Sequence, residues 1–180
     1  SPGGYQETSV PTISKKVDQL VAADGYAVAL KADGDLASWG SSDFAAFPSG
    51  LQQKVRSLTS AGAYTIALLK DGTLVQWGTS YMKPSLPSGL SNVESVAAYE
   101  KHALALLQDK TVVAWGDTTG GAIAIPTGLS DVKAIATGSS HTLALKEDGT
   151  VVGWGGDAKG AGTVPVGLIG VKSIAAGRAH

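Results

Sequence analysis

Apolar and polar residues alternate along short stretches of the chain, and one such stretch of fifteen residues occurs four times. The stretch HTLALKEDGTVVGWG at residues 141–155 has near-copies at residues 26–40, 64–78 and 102–116. Within it, HTLALK alternates as a half-buried strand does, and TVVGWG follows as another strand. Asp148-Gly149 between them predicts a hairpin turn, because glycine tolerates a positive φ. The pattern therefore predicts repeated antiparallel strands, and no segment has the period of a helix.

Three markers repeat with the same period along the chain. The tryptophans are separated by 38, 38 and 39 residues, four prolines by 39 residues each time, and a valine opens each unit. The positions are Trp39, Trp77, Trp115 and Trp154; Pro48, Pro87, Pro126 and Pro165; and Val17, Val55, Val93, Val132 and Val171. A period in this range indicates stacked supersecondary units. Because the tryptophans keep the period, we expect them to form the core.

Each unit contains short segments that are typical of four strands. In the last complete unit these are VKAIAT (132–137), HTLALK (141–146), TVVGWG (150–155) and TVP (163–165). Proline has no N–H group, so the last segment fits only an edge or the end of a strand. Apolar residues occur on both faces, as expected for a small sheet between two neighbours. Four short antiparallel strands in roughly 40 residues predict an all-β fold, the β-propeller, with each unit forming one blade.

The predicted domain covers residues 1–180 as one propeller with complete repeats at 17–54, 55–92, 93–131 and 132–170. Residues 1–16 match the tail of a preceding blade, because SVPTISKKV resembles TVPVGLIGV in length and in proline position. Residues 171–180 match the start of a fifth repeat. We expect further residues of a longer protein, or association with another chain, to complete the part-blades. A closed ring would then have about seven blades, within the usual range of about 4–8.

The repeated unit has the pattern V-x-x-I-A-x-G-x-x-H-x-L-A-L-x-x-D-G-x-V-x-x-W-G, which resembles the regulator of chromosome condensation repeat. Its length is similar to the compact form of this repeat in β-lactamase inhibitory protein II rather than to the longer nuclear form. Trp-Gly stands where WD repeats would have Trp-Asp. The resemblance covers essentially the whole chain and implies a propeller. It implies no single activity, because the family includes exchange factors, inhibitors and surface binders.

Composition narrows the classes of partner. A net charge of −1 and a pI near 6.3 give no basic surface for nucleic acid, and the absence of cysteine excludes disulfides and thiolate chemistry. No apolar run is long enough to predict membrane insertion. A chain without cysteine is compatible with any redox compartment, so the sequence leaves localisation open, with a secreted or cell-surface location favoured.

The histidines do not form a catalytic or metal-binding pattern. His102, His141 and His180 occupy one repeat position, which Tyr26 and Tyr64 fill in the earlier units. Residues at one repeat position lie on successive blades and cannot converge on one ion. We therefore expect the ring to donate or accept a hydrogen bond at a neighbouring turn. The aspartates recur at turns, and the sequence predicts no catalytic residue, no metal site and no cofactor.

The residues that depart from the repeat are the candidates for partner binding. One group lies in the loop after Trp-Gly and the other in the turn before the His/Tyr position; they are Phe44, Phe47, Tyr81 and Met82, and Tyr99, Glu100 and Lys101. Aromatic residues and methionine on loops of a rigid scaffold are typical of a protein contact. The alternative for Phe44 and Phe47 is that they fill the gap between blades, and a packing role is equally open for Tyr81 and Tyr99.

The sequence therefore predicts a non-enzymatic scaffold that presents its blade-connecting loops to a protein partner. One alternative is an inhibitor of a secreted hydrolase such as a β-lactamase, as the resemblance implies. A second is a structural repeat segment of a larger surface or multi-protein assembly. An enzyme would need polar groups that converge on the central channel, and the channel-side positions are small and apolar.

Overall fold

The computed structural model describes residues 11–40, 46–78, 83–156 and 160–178. Its strands form four separate antiparallel sheets, each a meander of three consecutive strands. We number these sheets blades 1 to 4 and call their strands first, second and third in chain order. The predicted antiparallel strands and their repetition along the chain are therefore confirmed.

The strands have nearly the same length in every blade. Blade 1 contains β1 (Val17–Ala23), β2 (Tyr26–Lys31) and β3 (Leu36–Gly40), and blade 2 contains β4 (Val55–Ala61), β5 (Tyr64–Leu69) and β6 (Leu74–Gly78). Blade 3 contains β7 (Val93–Tyr99), β8 (His102–Leu107) and β9 (Val112–Gly116), and blade 4 contains β10 (Val132–Thr137), β11 (His141–Lys146) and β12 (Val151–Gly155). A single turn of 3-10 helix, Thr119–Gly121, follows β9.

The repeat extends to the details of register. In each blade the pairing of the first and second strands shifts directly after the opening valine, between Val17 and Gln19 in blade 1 and at the matching residues in the others. The second and third strands then pair without a shift, from His102 opposite Gly116 to Leu106 opposite Val112 in blade 3. A conserved backbone register in every blade means that equivalent side chains point to equivalent neighbours.

The structure corrects the prediction of a fourth strand. In blade 4 the segment 163–165 lies outside the sheet, and its equivalents in the described residues are also coil or turn. Thr163 donates its N–H to the carbonyl of Gly160 in a turn, and Pro165 has no N–H to donate. The segment still lies beside β12, where a Cβ on Gly162 would collide with the Gly155 carbonyl oxygen. It therefore covers the outer edge of the blade without extending the ladder.

Residues 171–178, which the sequence assigns to the start of a fifth repeat, form no strand. Val171 nevertheless donates its N–H to the carbonyl of Gly149, as Val132 does to Lys110 and Val93 does to Gly72. The segment thus has the same attachment to the preceding blade as the opening valines of blades 3 and 4. Each first strand pairs with the second strand of its own unit, and no such strand is described beside residues 171–178.

The apolar core lies between blades. Trp77 of blade 2 shares a cluster with Val28 and Leu30 of blade 1, and Trp115 of blade 3 shares one with Ile66 and Leu68 of blade 2. Trp154 packs in the same way with two leucines of β8. Each of these three tryptophans therefore covers the second strand of the preceding blade.

The expectation that all four tryptophans are core residues is wrong for one of them. Trp77, Trp115 and Trp154 are buried, with 5%, 6% and 7% of their surface exposed. Trp39 is only half-buried. The difference has a direct cause, because the described residues include no second strand on the side of blade 1 that Trp39 faces. Burial of the tryptophan depends on the neighbouring blade and not on its own sheet.

We predict that Trp115→Ala lowers the free energy of unfolding by about 3–5 kcal/mol, the usual cost of removing a large buried aromatic ring. Trp39→Ala is the matched control, since it removes the same side chain from the same repeat position, where the described residues provide no second strand of a preceding blade. Its loss should be distinctly smaller. Denaturant titrations of both variants measure the difference, and equal losses would contradict packing between blades as the cause.

Candidate functional site

The repeat position shared by tyrosine and histidine forms a polar link between blades. Tyr26, Tyr64, His102 and His141 each begin a second strand and are buried. Three of them reach the next blade: Tyr26 Oη lies 2.8 Å from Thr65 Oγ1, Tyr64 Oη donates to the Tyr99 carbonyl at 2.9 Å, and His102 Nε2 lies 2.5 Å from Thr137 Oγ1. The sequence predicts a hydrogen bond at a neighbouring turn; the bonds form, but Thr65, Tyr99 and Thr137 belong to strands β5, β7 and β10. We call these contacts the polar seams.

Burial shifts the pKa values of two rings at the polar seams. It raises the pKa of the Tyr64 phenol, and it also lowers the pKa of the His102 imidazole. The charge of Asp117 opposes the shift at His102, and His141 adds to it. His102 is therefore held in its neutral form. Across the part of the chain that is described, no three residues of the metal-ligating types come together; His180 lies outside that part.

A cavity of about 240 Å³ opens between blades 3 and 4, directly over His102. Its walls come from the turn before β8, the loop after β9, the turn before β11 and the segment 171–178. We call it the blade 3–4 cleft, and its lining residues are Tyr99, Glu100, Lys101, His102, Asp117, Thr119, Gly120, Ser139, Ser140 and Arg178. The structure thus brings together three of the sequence-predicted candidates, Tyr99, Glu100 and Lys101.

The blade 3–4 cleft carries charges of both signs. Glu100, Lys101 and Arg178 are exposed, and Asp117 is half-buried. Lys101 Nζ lies 4.0 Å from Asp117 Oδ2. Hydrogen bonds from the hydroxyl and N–H of Thr119 to Asp117 Oδ1, at 2.7 and 2.8 Å, hold the pKa of this carboxyl below its usual range. Two acidic and two basic groups leave the cleft without a formal net charge.

Backbone contacts fix the walls of the cleft. The Tyr99 carbonyl accepts the hydrogen bond of Tyr64, and the Lys101 carbonyl accepts the N–H of Asp117 at 2.9 Å. Across the cleft, Ser139 donates its N–H to the Arg178 carbonyl at 3.1 Å. The side chains of Glu100 and Lys101 therefore project from a turn that main-chain bonds hold in place. Such a turn presents its side chains with little loss of backbone freedom on binding.

Gly116, the residue after Trp115, allows this arrangement. Its φ is +117°, a conformation that favours glycine, and a Cβ there would collide with the Lys101 carbonyl oxygen. Gly40 and Gly78 make the same close approach in blades 1 and 2. The Trp-Gly pair is therefore repeated for two reasons: the tryptophan packs between blades, and the glycine lets the turn before the second strand approach.

The remaining sequence-predicted candidates lie elsewhere or outside the described residues. The ring of Phe47 meets that of Trp77 edge to face, with centroids 6.5 Å apart and planes at 65°, and it packs against the core between blades 1 and 2. This placement matches the alternative that the phenylalanine fills the gap between blades. Phe44, Tyr81 and Met82 are not among the described residues, so their proposed role stays a prediction.

Sequence reasoning missed Asp117, Thr119, Ser139 and Arg178 as members of the cleft. They lie in loops and turns whose sequences vary between repeats, and this variation is the signal that could have identified them. A criterion of aromatic and long side chains does not select the small polar residues among them. Residues 117 and 178 are also far apart in sequence, so the sequence does not show that they line one cleft.

Comparison with known proteins supports this architecture. A family model described as the regulator of chromosome condensation (RCC1) repeat matches residues 93–121 and 132–161, which contain the strands of blades 3 and 4. These two segments of the chain are RCC1-type repeats. A comparison with curated protein sequences found no match. The further resemblance to the compact form in β-lactamase inhibitory protein II stays a prediction.

Solved structures similar to the chain are propeller proteins of low sequence identity. The ectodomain of the Physcomitrella patens receptor kinase CR4 has a TM-score of 0.73 and 24% identity, over 90% of this chain and 47% of that one. Yeast RCC1 (Prp20), bound to Kap60, has a TM-score of 0.69 and 19% identity, over 91% and 52%. The computationally designed Ika4 protein has a TM-score of 0.55 and 22% identity, over 84% and 98%. The chain spans about half the length of the first two, and these likenesses show the fold.

None of the helical structure in the described ranges could span a membrane.

We predict that Gly116→Ala destabilises the chain by more than Gly128→Ala. Both residues have a positive φ, at +117° and +79°, but a Cβ on Gly128 meets nothing within 4 Å. Gly128→Ala should therefore cost only the conformational strain, about 1–2 kcal/mol. Gly116→Ala adds a collision with the Lys101 turn. Denaturant titration gives the difference, and equal losses would show that the turn moves without cost.

Proposed function

We propose that this chain is a non-enzymatic scaffold that binds a protein partner at the blade 3–4 cleft and the turns beside it. The observation that carries the proposal is that Tyr99, Glu100 and Lys101 depart from the repeat on a turn with a fixed backbone. Binding residues concentrate on loops that a rigid scaffold positions. A turn that varies in sequence while its main chain is held by neighbours fits this division of roles.

The contact extends beyond the cleft, because a protein interface covers about 800 Å² on each partner. The turns before successive second strands form a continuous rim. A Cβ on Gly62 would lie 3.5 Å from Glu100 Cγ and 4.0 Å from Asp24 Oδ2, and Ser139 is bonded to Arg178. We call this surface the turn rim, and its residues are Asp24, Gly62, Glu100, Ser139 and Arg178. A partner that covers the turn rim fills the cleft at the same time.

The chemistry of the cleft favours a protein over a small apolar molecule. Small-molecule pockets are predominantly lined by apolar and aromatic side chains. The blade 3–4 cleft has instead one tyrosine, two acidic and two basic residues, and several hydroxyl groups. An aromatic ring surrounded by charged and polar residues is typical of a protein interface, whose aromatic core has a polar rim.

The arrangement of polar groups favours binding over catalysis. His102 contacts Thr137, and the Ser139 hydroxyl donates to the Arg178 carbonyl. A serine nucleophile needs its hydroxyl within hydrogen-bond reach of a base. Both groups are engaged in holding neighbouring blades together.

Proteins of similar structure also bind proteins. The yeast RCC1 structure contains Kap60, and a second structure of Prp20p is reported with its binding properties to Gsp1p and histones. These structures support a protein as the class of partner, and they do not identify which protein it is. Hydrolase inhibition and a structural role in a larger assembly stay predictions, since no contact in the described residues favours either one.

Photo-crosslinking tests the proposed face. A photoreactive amino acid replaces Lys101 in one variant and Gln108 in another; both are exposed, and they lie at opposite ends of β8. We expect protein adducts from position 101 at several times the yield from position 108. Equal yields, or adducts from position 108 alone, would contradict binding at this face. Absence of protein adducts at both positions would contradict the scaffold function.

Tyr99→Ala tests the contribution of the turn without changing the fold. Alanine already occupies the equivalent positions Ala23 and Ala61, and the Tyr99 carbonyl that holds the turn is retained. We expect affinity for the crosslinked partner to fall by roughly tenfold or more, as for an aromatic residue at the centre of an interface. Val96→Ala, in the same strand, is a control that should leave affinity unchanged. Unchanged affinity in Tyr99→Ala would exclude Tyr99 from the contact.

A further inference from the structure

The polar seams differ in one chemical respect. Blades 1 and 2 use tyrosine, which stays neutral at physiological pH, and blade 3 uses histidine, whose charge changes between about pH 5 and 8. The geometry is otherwise alike, since each ring begins a second strand and contacts the next blade. The chain thus contains one polar seam whose ring changes charge between about pH 5 and 8, and two whose rings stay neutral in that range.

We infer that protonation of His102 opens the seam between blades 3 and 4 in acid, while the tyrosine seams stay closed. His102 is 2% exposed and Thr137, its partner, is 7% exposed. A neutral hydroxyl is the group that faces Nε2, and no carboxylate of the described residues forms a hydrogen bond or an ion pair with the ring of His102. A buried charge without a close counter-charge is costly, and opening the seam admits water to it.

The charged and titratable groups around His102 have competing effects. Asp117, from the loop after β9, favours the imidazolium, and His141, from β11, disfavours it. Glu100, Lys101 and Arg178 line the cleft above. Asp117 is already engaged by Thr119 and lies near Lys101, so its charge is shared with other partners. Burial is the largest influence on His102, and the neutral form is favoured in the closed seam.

The sign of the pH effect follows from this order. Because burial lowers the pKa of His102 below its usual value of 6.5, the open seam takes up a proton at a higher pH than the closed one. The stability of the closed seam is fully present above pH 6.5 and falls as the pH decreases below it. Uptake of one proton raises the opening equilibrium by at most tenfold for each pH unit.

The opening has a consequence for binding that rests on the proposed function. His102 forms the floor of the blade 3–4 cleft, and Ser139 and Ser140 of blade 4 form one of its walls. Separation of the two blades moves that wall away from Glu100 and Lys101. A partner that needs both walls is then released in acid.

Hydrogen–deuterium exchange between pH 7.5 and 5.5 tests the seam itself and requires no partner. After correction for the intrinsic pH dependence of exchange, opening in residues 132–140 should increase by up to about fivefold between pH 6.5 and 5.5. Residues 57–62, at the tyrosine seam between blades 1 and 2, should not respond. His102→Tyr is the matched variant, because tyrosine occupies this position in blades 1 and 2. His141 is present in both chains, so their difference reports His102.

We expect His102→Tyr to lose the acid response while it keeps wild-type protection at pH 7.5. Tyr64→His should create a response in residues 95–100. An equal acid response in wild type and His102→Tyr, or a uniform response in every blade, would overturn the inference. If His102→Tyr folds poorly, an NMR titration of the wild-type His102 imidazole provides the test instead. A His102 pKa at or above 6.5 would contradict the inference that protonation opens the seam. If the wild-type chain binds no protein partner at neutral pH, that result contradicts the proposed function and does not affect the inference about the seam.

Discussion

Packing of each tryptophan against the second strand of the preceding blade is the interaction on which the rest of the structure depends. A three-stranded sheet of short strands has too little apolar surface of its own, so it gains stability from what covers it. Trp77 and Trp115 are covered and buried, whereas Trp39 has the same sheet around it and stays half-buried. The stable unit of this protein is therefore the interface between two blades, as in other repeat arrays.

The polar seams close the same interface at one end. The first strands of neighbouring blades are also linked by hydrogen bonds, between Gln19 and Leu58 and from Thr59 to the Val96 carbonyl. At the first residue of the second strand, a ring carries a polar atom to the next blade. A link of this kind must be both buried and hydrogen-bonded, which is why tyrosine and histidine are interchangeable there. The cleft lies directly above one of these links. The proposed binding surface and the interblade contact are thus neighbours.

Much of the fold follows from the sequence, and the cleft follows only in part. The period predicts the blades because the Trp, Pro and Val markers repeat together, but it cannot reveal which strand pairs in a ladder. Residues 163–165 have a suitable pattern, yet Thr163 is bonded in a turn and Pro165 cannot donate. Glu100 and Lys101 were found by their departure from the repeat. Arg178 was missed because it reaches the cleft only when blades stack, and stacking is not encoded in the pattern of one unit.

Main-chain bonds explain why the turn rim can vary without loss of the fold. Asp24 donates its N–H to the Gly62 carbonyl, and Ser139 donates its N–H to the Arg178 carbonyl, so the alignment of neighbouring turns requires no particular side chain. At the tryptophan and at the glycine after it, by contrast, the side chain or its absence is what the contact requires. Packing therefore constrains the interior positions and leaves the side chains of the turn rim without that constraint. This freedom is what the proposed function requires of the turn in blade 3, whose side chains would contact the partner.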